Sequence, residues 1–359
     1  MKYNFNVQLT NQSKLSQIDF NNIPFGRVFS DHMFIADYNG EEWTDLRIVP
    51  YGNLEMSPAS SVLHYSQTVF EGMKATKDAD GTPLLFRPEQ NARRLNKSAA
   101  RMAMPELPED LFMQALNQLI ALDHEWIPNV PDSSLYIRPY MFANDPFIGV
   151  KPSTNYRFIM FTAPVGAYYS GAVKLLASEK YIRAAIGGTG AAKAGGNYAA
   201  TLLPQLEAQK QGFDQLMWLD ANEFKYIQEC GTMNLFFIVD GKVLTPSLKN
   251  DTILHGITRD SFVQLLRSYG LEVEERRISI DEIVDASKAG KIEDCFGAGT
   301  AAVVAPVASF NYRDTNYELP ALETRKHSIR LKEDLTNLRK GTLEDKFGWM
   351  QKVNVMQTA

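Results

Sequence analysis

The chain predicts a mixed α/β fold, with α+β character, divided into two domains. Three observations carry this expectation. At 359 residues the chain is long enough for about two domains of roughly 150 residues each. Segments that alternate apolar and polar residues are interleaved with segments whose apolar residues recur at helical spacing. Between the halves, Pro164-Val165-Gly166-Ala167-Tyr168-Tyr169-Ser170-Gly171 combines Pro, Gly and small residues in the manner of a connector. The expected division is an N-terminal domain over 1–164, a linker over 165–173 and a C-terminal domain over 174–359.

The elements follow in order. His32 to Tyr38 and Trp43 to Pro50 flank Asn39-Gly40, a pairing of strand patterns and turn residues that predicts a hairpin. Residues 69–75 read as a strand crossed by Gly72, and Leu84-Leu85-Phe86-Arg87 as another extended segment after the Asp80-Gly81 turn. Residues 91–102 read as a basic helix. Arg93 and Arg94 are adjacent and cannot face the same way, so one of them is free to turn inward and meet an anion. Residues 109–122 carry Leu111, Phe112, Ala115, Leu116 and Leu119 on one face, the stripe of a core-packed helix.

Strands are expected over 135–142 and 156–163, then over 173–177, 216–220, 225–229 and 234–239. Asn197 is placed to cap a helix over 198–211 that stops at Gly212, with Pro204 predicting a kink. A further helix begins near His255-Gly256 and ends before Gly270, its glycine leaving first-turn amides open to an anion. Residues 295–304 read as a small-residue turn entering a buried strand, and 327–352 as a charge-rich helix. There is no internal repeat.

Composition narrows the function classes. Hydrophobic residues make up 45% and charged residues 22%, which suits a folded globular chain. A net charge of −5 gives no field to attract nucleic acid or an anionic membrane, so the expected partner is a small molecule. Cys230 and Cys295 are too few for a disulfide framework and lack metal-ligand spacing, which points to a reducing compartment and to no metal. The first twenty residues have no secretory h-region, and no apolar run reaches the roughly 18 residues of a membrane span. The expectation is a cytoplasmic protein.

The stretch with most chemistry in it is Gly187-Gly188-Thr189-Gly190-Ala191-Ala192-Lys193-Ala194-Gly195-Gly196-Asn197-Tyr198. Small residues around one lysine let a ligand approach closely. Such a lysine either forms an imine with a carbonyl cofactor or belongs to a loop that cradles phosphate or turns the chain. The nucleotide P-loop spacing is not met, because Lys193 follows Ala192 and precedes Ala194. A phosphorylated pyridine aldehyde needs a lysine, an acid for the ring nitrogen, an anion cup and a donor to the ring hydroxyl. Lys193 offers the first, and Glu229 in Glu229-Cys230-Gly231-Thr232-Met233-Asn234 the second.

Six ordered motifs then carry a resemblance. Phe70-Glu71-Gly72-Met73-Lys74, Leu135-Tyr136-Ile137-Arg138-Pro139, Pro164 to Tyr168, Lys193 to Tyr198, Glu229 to Asn234 and Phe296-Gly297-Ala298-Gly299-Thr300-Ala301 resemble the branched-chain amino acid aminotransferases, over almost the whole chain from about Phe29. The resemblance implies the fold-type IV architecture of pyridoxal-phosphate enzymes, with a smaller N-terminal α/β domain, a larger C-terminal pseudo-barrel domain and a homodimer. It implies pyridoxal 5′-phosphate as cofactor, with Lys193 as the imine lysine, Glu229 as partner of the ring nitrogen and Tyr198 as donor to the ring hydroxyl. Arg94 and the amides of Ile257 and Thr258 are implied to bind phosphate, with Thr300 near them and Thr232 shared between cofactor and substrate. The substrate carboxylate is implied near Thr300 and Ala301, oriented by Tyr65 and Arg138. The aliphatic side chain is implied to meet Phe70, Tyr136, Tyr168 and Tyr198, with Ile148 and Val150 reaching across from the second subunit.

The implied reaction is a ping-pong transamination between leucine, isoleucine or valine and 2-oxoglutarate, giving branched 2-oxo acids and glutamate. The C-x-x-C thiol switch of some mammalian relatives is absent, since Ala302 and Ala305 stand in those places.

Overall fold

A computed structural model of the protein describes residues 2–24, 26–166 and 171–355. The described residues form two compact units, one of residues up to 166 with 192–195 and 336–355, the other of 171–191 with 196–335. Tyr168 and the centre of the expected linker lie outside the described residues. Two segments group differently from the expected division. The short stretch around Lys193 belongs with the first unit because Val69 bridges Ala194 and the Phe70 amide donates to the Lys193 carbonyl. The C-terminal residues belong there because Met350–Lys352 forms a strand instead of more helix.

The first unit is built on one sheet. Its strands are β1 (Asn6–Val7), β2 (His32–Tyr38), β3 (Trp43–Pro50), β4 (Thr68–Phe70), β5 (Met73–Lys77), β6 (Pro83–Phe86), β7 (Ser134–Ala143) and β8 (Tyr156–Val165). The order is β1-β3-β2-β8-β7-β5-β6, then Met350–Lys352, with β4 paired to β7. The β2–β3 hairpin is antiparallel as expected. The single strand expected over 69–75 is instead β4 and β5, broken at Glu71-Gly72. A Cβ on Gly72 would lie 2.2 Å from the Tyr136 hydroxyl, so the Tyr136 side chain of β7 occupies the space that a side chain there would need.

Helices α1 (Ser61–Tyr65), α2 (Pro88–Arg101) and α3 (Glu109–Leu122) complete this unit. Pro88 at the first position of α2 loses no hydrogen bond, because that amide has no intrahelical partner. The apolar stripe of α3 is buried as its spacing predicts, with Phe112 meeting Phe158 of β8 and Phe158 meeting Phe34 of β2.

The second unit holds β9 (Val173–Ser178), α4 (Gly195–Ala199), α5 (Leu202–Lys210), β10 (Gln215–Leu219), β11 (Ile227–Cys230), β12 (Met233–Val239), β13 (Lys242–Pro246), α6 (Ile257–Ser268), β14 (Val273–Arg276), α7 (Ile280–Lys288), β15 (Ile292–Gly299), β16 (Val303–Tyr312) and β17 (Thr315–Glu318). Helix α8 (His327–Arg339) carries the chain out of it. β11 pairs with both β10 and β12, which closes β9, β10, β11, β12, β15 and β16 into a ring. The interior is apolar, with Leu175, Met217, Leu235, Phe237 and Phe310 fully buried. On the other face of β12 and β15, Phe236 stacks on Phe296 at 5.2 Å and Phe262 of α6 meets both rings edge-on.

Three expectations change here. The helix over 198–211 is two helices separated at Ala200-Thr201. Pro204 has no N–H to donate, and in the first turn of α5, where that donor has no intrahelical partner, the loss costs nothing. Residues 295–299 are the end of β15, and the turn is confined to 300–302 before β16. Of the long C-terminal helix, only 327–339 is helical.

Candidate active site

In the first unit, Phe70 at the end of β4 is the common wall. The Lys193 amine lies over its ring at 4.7 Å and the Arg138 guanidinium at 4.8 Å. Lys193 is fixed through its backbone: its amide donates to the Ser98 hydroxyl at 2.9 Å and its carbonyl accepts from Phe70 at 3.0 Å. Arg138 reaches up from β7, donates from Nη2 to the Tyr136 hydroxyl at 3.0 Å and lies 5.3 Å from that ring. Its Nε is buried and has no acceptor among the described residues. A half-buried guanidinium with an open donor, beside an amine and two aromatic faces, suits a carboxylate.

Arg94 turns inward on α2 while Arg93 stays exposed and pairs with Glu109, which separates the two as their adjacency requires. The anion Arg94 meets in the first unit is the carboxylate of Glu71. Nε and Nη2 each donate at 2.8 Å, and Asn91 adds a third hydrogen bond at 2.7 Å. Glu71 is fully buried, so this bidentate pair anchors the β4–β5 break to α2. The pairing joins residues 23 apart and was not read from the sequence, although Glu71 stands in one of its motifs.

In the second unit, Glu229 sits on β11 and is 2% exposed. Oε2 lies 2.6 Å from Arg183 Nε, while Oε1 accepts from Asn234 Nδ2 at 3.1 Å and from the Leu254 amide at 2.9 Å. An opposite charge and two N–H donors favour the ionised carboxylate despite burial. Arg183 was not singled out by sequence reasoning; nothing in its neighbourhood distinguishes it from a solvated arginine. It also donates to the carbonyls of Gly190 and Thr252. A Cβ on Gly190 would lie 2.4 Å from the Thr252 oxygen, so this glycine permits the close approach that Arg183 bridges.

Helix α6 begins at Ile257 with Gly256 as its cap and no side chain capping its first amides. Thr258 is buried there. A Cβ on Gly256 would lie 2.0 Å from Asn234 Oδ1, so the helix start can rest against the same Asn234 that supports Glu229 only because residue 256 has no side chain. An uncapped N-terminus with this orientation suits an anion such as phosphate. Thr300 and Ala301 lie in the turn between β15 and β16, half-buried. Val303 follows at φ +62°, a conformation costly for a β-branched residue, so backbone strain is held beside that turn. Thr232 is exposed at the β11–β12 turn, and Tyr198 is half-buried in α4.

Lys193, Arg138, Tyr136 and Phe70 are thus brought together in the first unit, and Glu229, Asn234 and the start of α6 in the second. Tyr65, Ile148 and Val150 are exposed, the last two at 68% and 89%. Cys230 and Cys295 are buried free thiols, and burial pushes Cys230 up to about 12, which keeps it protonated. Among the described residues no cluster of His, Cys, Asp and Glu is arranged to hold a metal, and no helix is long and apolar enough to cross a membrane.

Comparison with known proteins gives the same family throughout. The profile of the Amino-transferase class IV family matches residues 68–310. Branched-chain-amino-acid aminotransferase 2 of Bacillus subtilis is 46% identical over 356 residues, covering 98% of each chain. The solved branched-chain amino acid aminotransferase of Escherichia coli superposes with a TM-score of 0.74 at 31% identity, covering 90% of this chain and 99% of that one. The T.th. branched-chain amino acid aminotransferase, solved in complex with N-(5′-phosphopyridoxyl)-L-glutamate, gives 0.72 at 25% identity, covering 91% and 100%. With a mixed α/β fold of type IV, an amine and an open guanidinium on one aromatic wall, and near-full-length identity of this size, the chain belongs to the branched-chain amino acid aminotransferase family of class IV aminotransferases.

Proposed function

We propose that the protein is a pyridoxal 5′-phosphate enzyme that moves the amino group reversibly between L-leucine, L-isoleucine or L-valine and 2-oxoglutarate by a ping-pong mechanism. The observation that carries the substrate side is the shared Phe70 wall, where the Lys193 amine and the Arg138 guanidinium with its unpartnered Nε face one ring. A substrate of this kind brings a carboxylate, an amine and an alkyl chain, and those groups match the cation, the lysine and the aromatic surface.

The donor set fits the cofactor: a supported carboxylate for a protonated ring nitrogen, an uncapped helix start for a phosphate and a lysine amine for an aldehyde. When bound, the cofactor supplies an electron sink and carries the amino group between the two substrates. Lys193 Nζ takes and returns the α-proton of the substrate. Glu229, held ionised by Arg183, Asn234 and the Leu254 amide, keeps a proton on the nitrogen it faces. Tyr198 donates from its hydroxyl, and the Ile257 and Thr258 amides at the uncapped start of α6 bind phosphate, the role the resemblance also gives Arg94, Thr300 and Thr232. Arg138 and Tyr65 orient the carboxylate, a role the resemblance also gives the turn at Thr300 and Ala301. Phe70, Tyr136 and Tyr168 bind the alkyl chain and exclude water, burial stabilising by about 25 cal/mol per Å2 of apolar surface.

The same reading includes the division at a linker over 165–173, a homodimer in which the exposed Ile148 and Val150 meet the second subunit, and a cytoplasmic location. The test is spectroscopic. Purified protein reconstituted with pyridoxal 5′-phosphate should absorb in the visible, and borohydride should fix the adduct at Lys193 by peptide mass spectrometry; Lys193→Ala should lose both. Leucine, isoleucine, valine and L-glutamate should bleach the band and D-alanine should not. An adduct at another lysine, or none, overturns the reading.

A further inference from the structure

Helix α2 carries two stripes on its buried side. Ala92, Leu95 and Ala99 recur at i, i+3 and i+7 and join the apolar core of the first unit. Beside them Asn91, Arg94 and Ser98 recur at the same spacing, and all three are buried although they are polar. A polar group buried on a helix face costs free energy unless it meets a partner. Each of the three has one, and the partners converge on one place.

The Ser98 hydroxyl accepts the Lys193 amide at 2.9 Å. Seven residues earlier on the same stripe, Asn91 donates to the Glu71 carboxylate, and Arg94 donates to it twice. Glu71 follows Phe70, whose amide donates to the Lys193 carbonyl at 3.0 Å, and Val69 bridges Ala194. The contacts close a ring. It runs from α2 through Ser98 to Lys193, across to Phe70, along the chain to Glu71, and back to α2 through Arg94 and Asn91. Lys193 thus has its amide held by a helix side chain and its carbonyl held by the strand that supplies the aromatic wall. A residue held at its carbonyl alone can turn about that tie, and its Cα–Cβ bond, which sets where the amine reaches, turns with it.

We propose that Ser98 is a positioning residue for Lys193, fixing the direction in which the amine projects over the Phe70 ring so that it meets the α-proton of the substrate. This role rests on Lys193 being the reactive lysine, as proposed above. Ser98 touches neither substrate nor cofactor in this role; it acts through the lysine backbone. Reacting atoms displaced by about 1 Å lose on the order of a hundredfold in rate, so a single hydrogen bond that aims the amine carries weight.

The first measurement uses the full-length protein without cofactor. In Ser98→Ala labelled with 15N-lysine, the Lys193 amide should exchange with solvent roughly tenfold faster than in wild type, the equivalent of one hydrogen bond. The second uses protein carrying pyridoxal 5′-phosphate. Leucine should bleach the visible band of Ser98→Ala roughly 10- to 100-fold more slowly, with half-saturation unchanged, because ground-state binding does not involve Ser98. The α-deuterium isotope effect should be no smaller than in wild type, since proton transfer is the slowed step. Ser98→Thr, which keeps a hydroxyl at the position, should regain most of the exchange protection and the rate. Ala92→Gly, which loosens the same helix on its apolar stripe, should keep the wild-type rate and isotope effect. Wild-type exchange of the Lys193 amide in Ser98→Ala, a wild-type bleaching rate, or a slowed rate with a reduced isotope effect would each overturn the proposal. Borohydride mapping of the same samples separates the two readings: no adduct at Lys193 in wild type removes the reactive lysine and this role with it, whereas an adduct there with Ser98→Ala at wild-type rate removes the role of Ser98 alone.

Discussion

Replacing Arg183 with Met tests the electrostatic support of the second unit directly. Arg183 and Glu229 have side chains 8% and 3% exposed, and their closest atoms are 2.6 Å apart. Met fills much of the same volume without charge, so Glu229 loses its cationic partner and keeps the Asn234 and Leu254 donors. Removing one member of a buried pair costs about 3–5 kcal/mol, because the remaining charge stays desolvated. At about 2–4 °C per kcal/mol for units of this size, the apparent unfolding midpoint should fall by roughly 6–20 °C. Scanning calorimetry at one fixed scan rate, with and without excess pyridoxal 5′-phosphate, reads the shift. The double variant Arg183→Met/Glu229→Gln removes the stranded charge and should regain more than half of the loss. A single-variant drop of under about 2 °C, or a double variant no better than the single, would refute the assignment of Glu229 as a carboxylate held ionised by this arginine.

Two further outcomes follow from the same geometry. Gly256→Ala should destabilise the second unit and weaken phosphate-dependent cofactor binding, because its Cβ would sit 2.0 Å from Asn234 Oδ1; a fluorescence titration with pyridoxal 5′-phosphate against unphosphorylated pyridoxal checks it, and equal affinity of wild type and variant refutes it. Burial, with Arg339 adding like-charge repulsion, pulls Lys74 from its ordinary 10.5 down to about 7. Between those values the unfolded chain holds a proton the folded chain has released, so stability rises with pH by up to about 1.4 kcal/mol per unit. Lys74→Met should flatten that rise in denaturant unfolding between pH 7 and 10, and parallel wild-type and variant curves would count against it.

How far the sequence could be read depended on the range of the interaction. The helix over 109–122 was legible to the residue, since its apolar spacing and acidic first turn are local properties. The β2–β3 hairpin was legible for the same reason. The helix over 198–211 was misjoined because the residues before Pro204 have adequate propensity, and only packing decides where such a segment breaks. The C-terminal strand was missed because three residues, Met350–Lys352, carry no period of their own and become a strand by pairing with β6.

In the candidate site, residue identity came from the sequence and partnership did not. Lys193 and Glu229 stood out because they lie in ordered motifs beside glycines, Arg94 because it adjoins Arg93 on a helix, and Gly256 because it opens one. Glycine spacing and motif order are written along the chain and survive without coordinates. That Arg94 meets Glu71, that Arg183 rather than solvent faces Glu229, and that Arg138 Nε is left without an acceptor are matters of which side chains the folded backbone brings within 3 Å of one another. Burial makes those meetings strong or costly, and burial is a property of the packed structure alone.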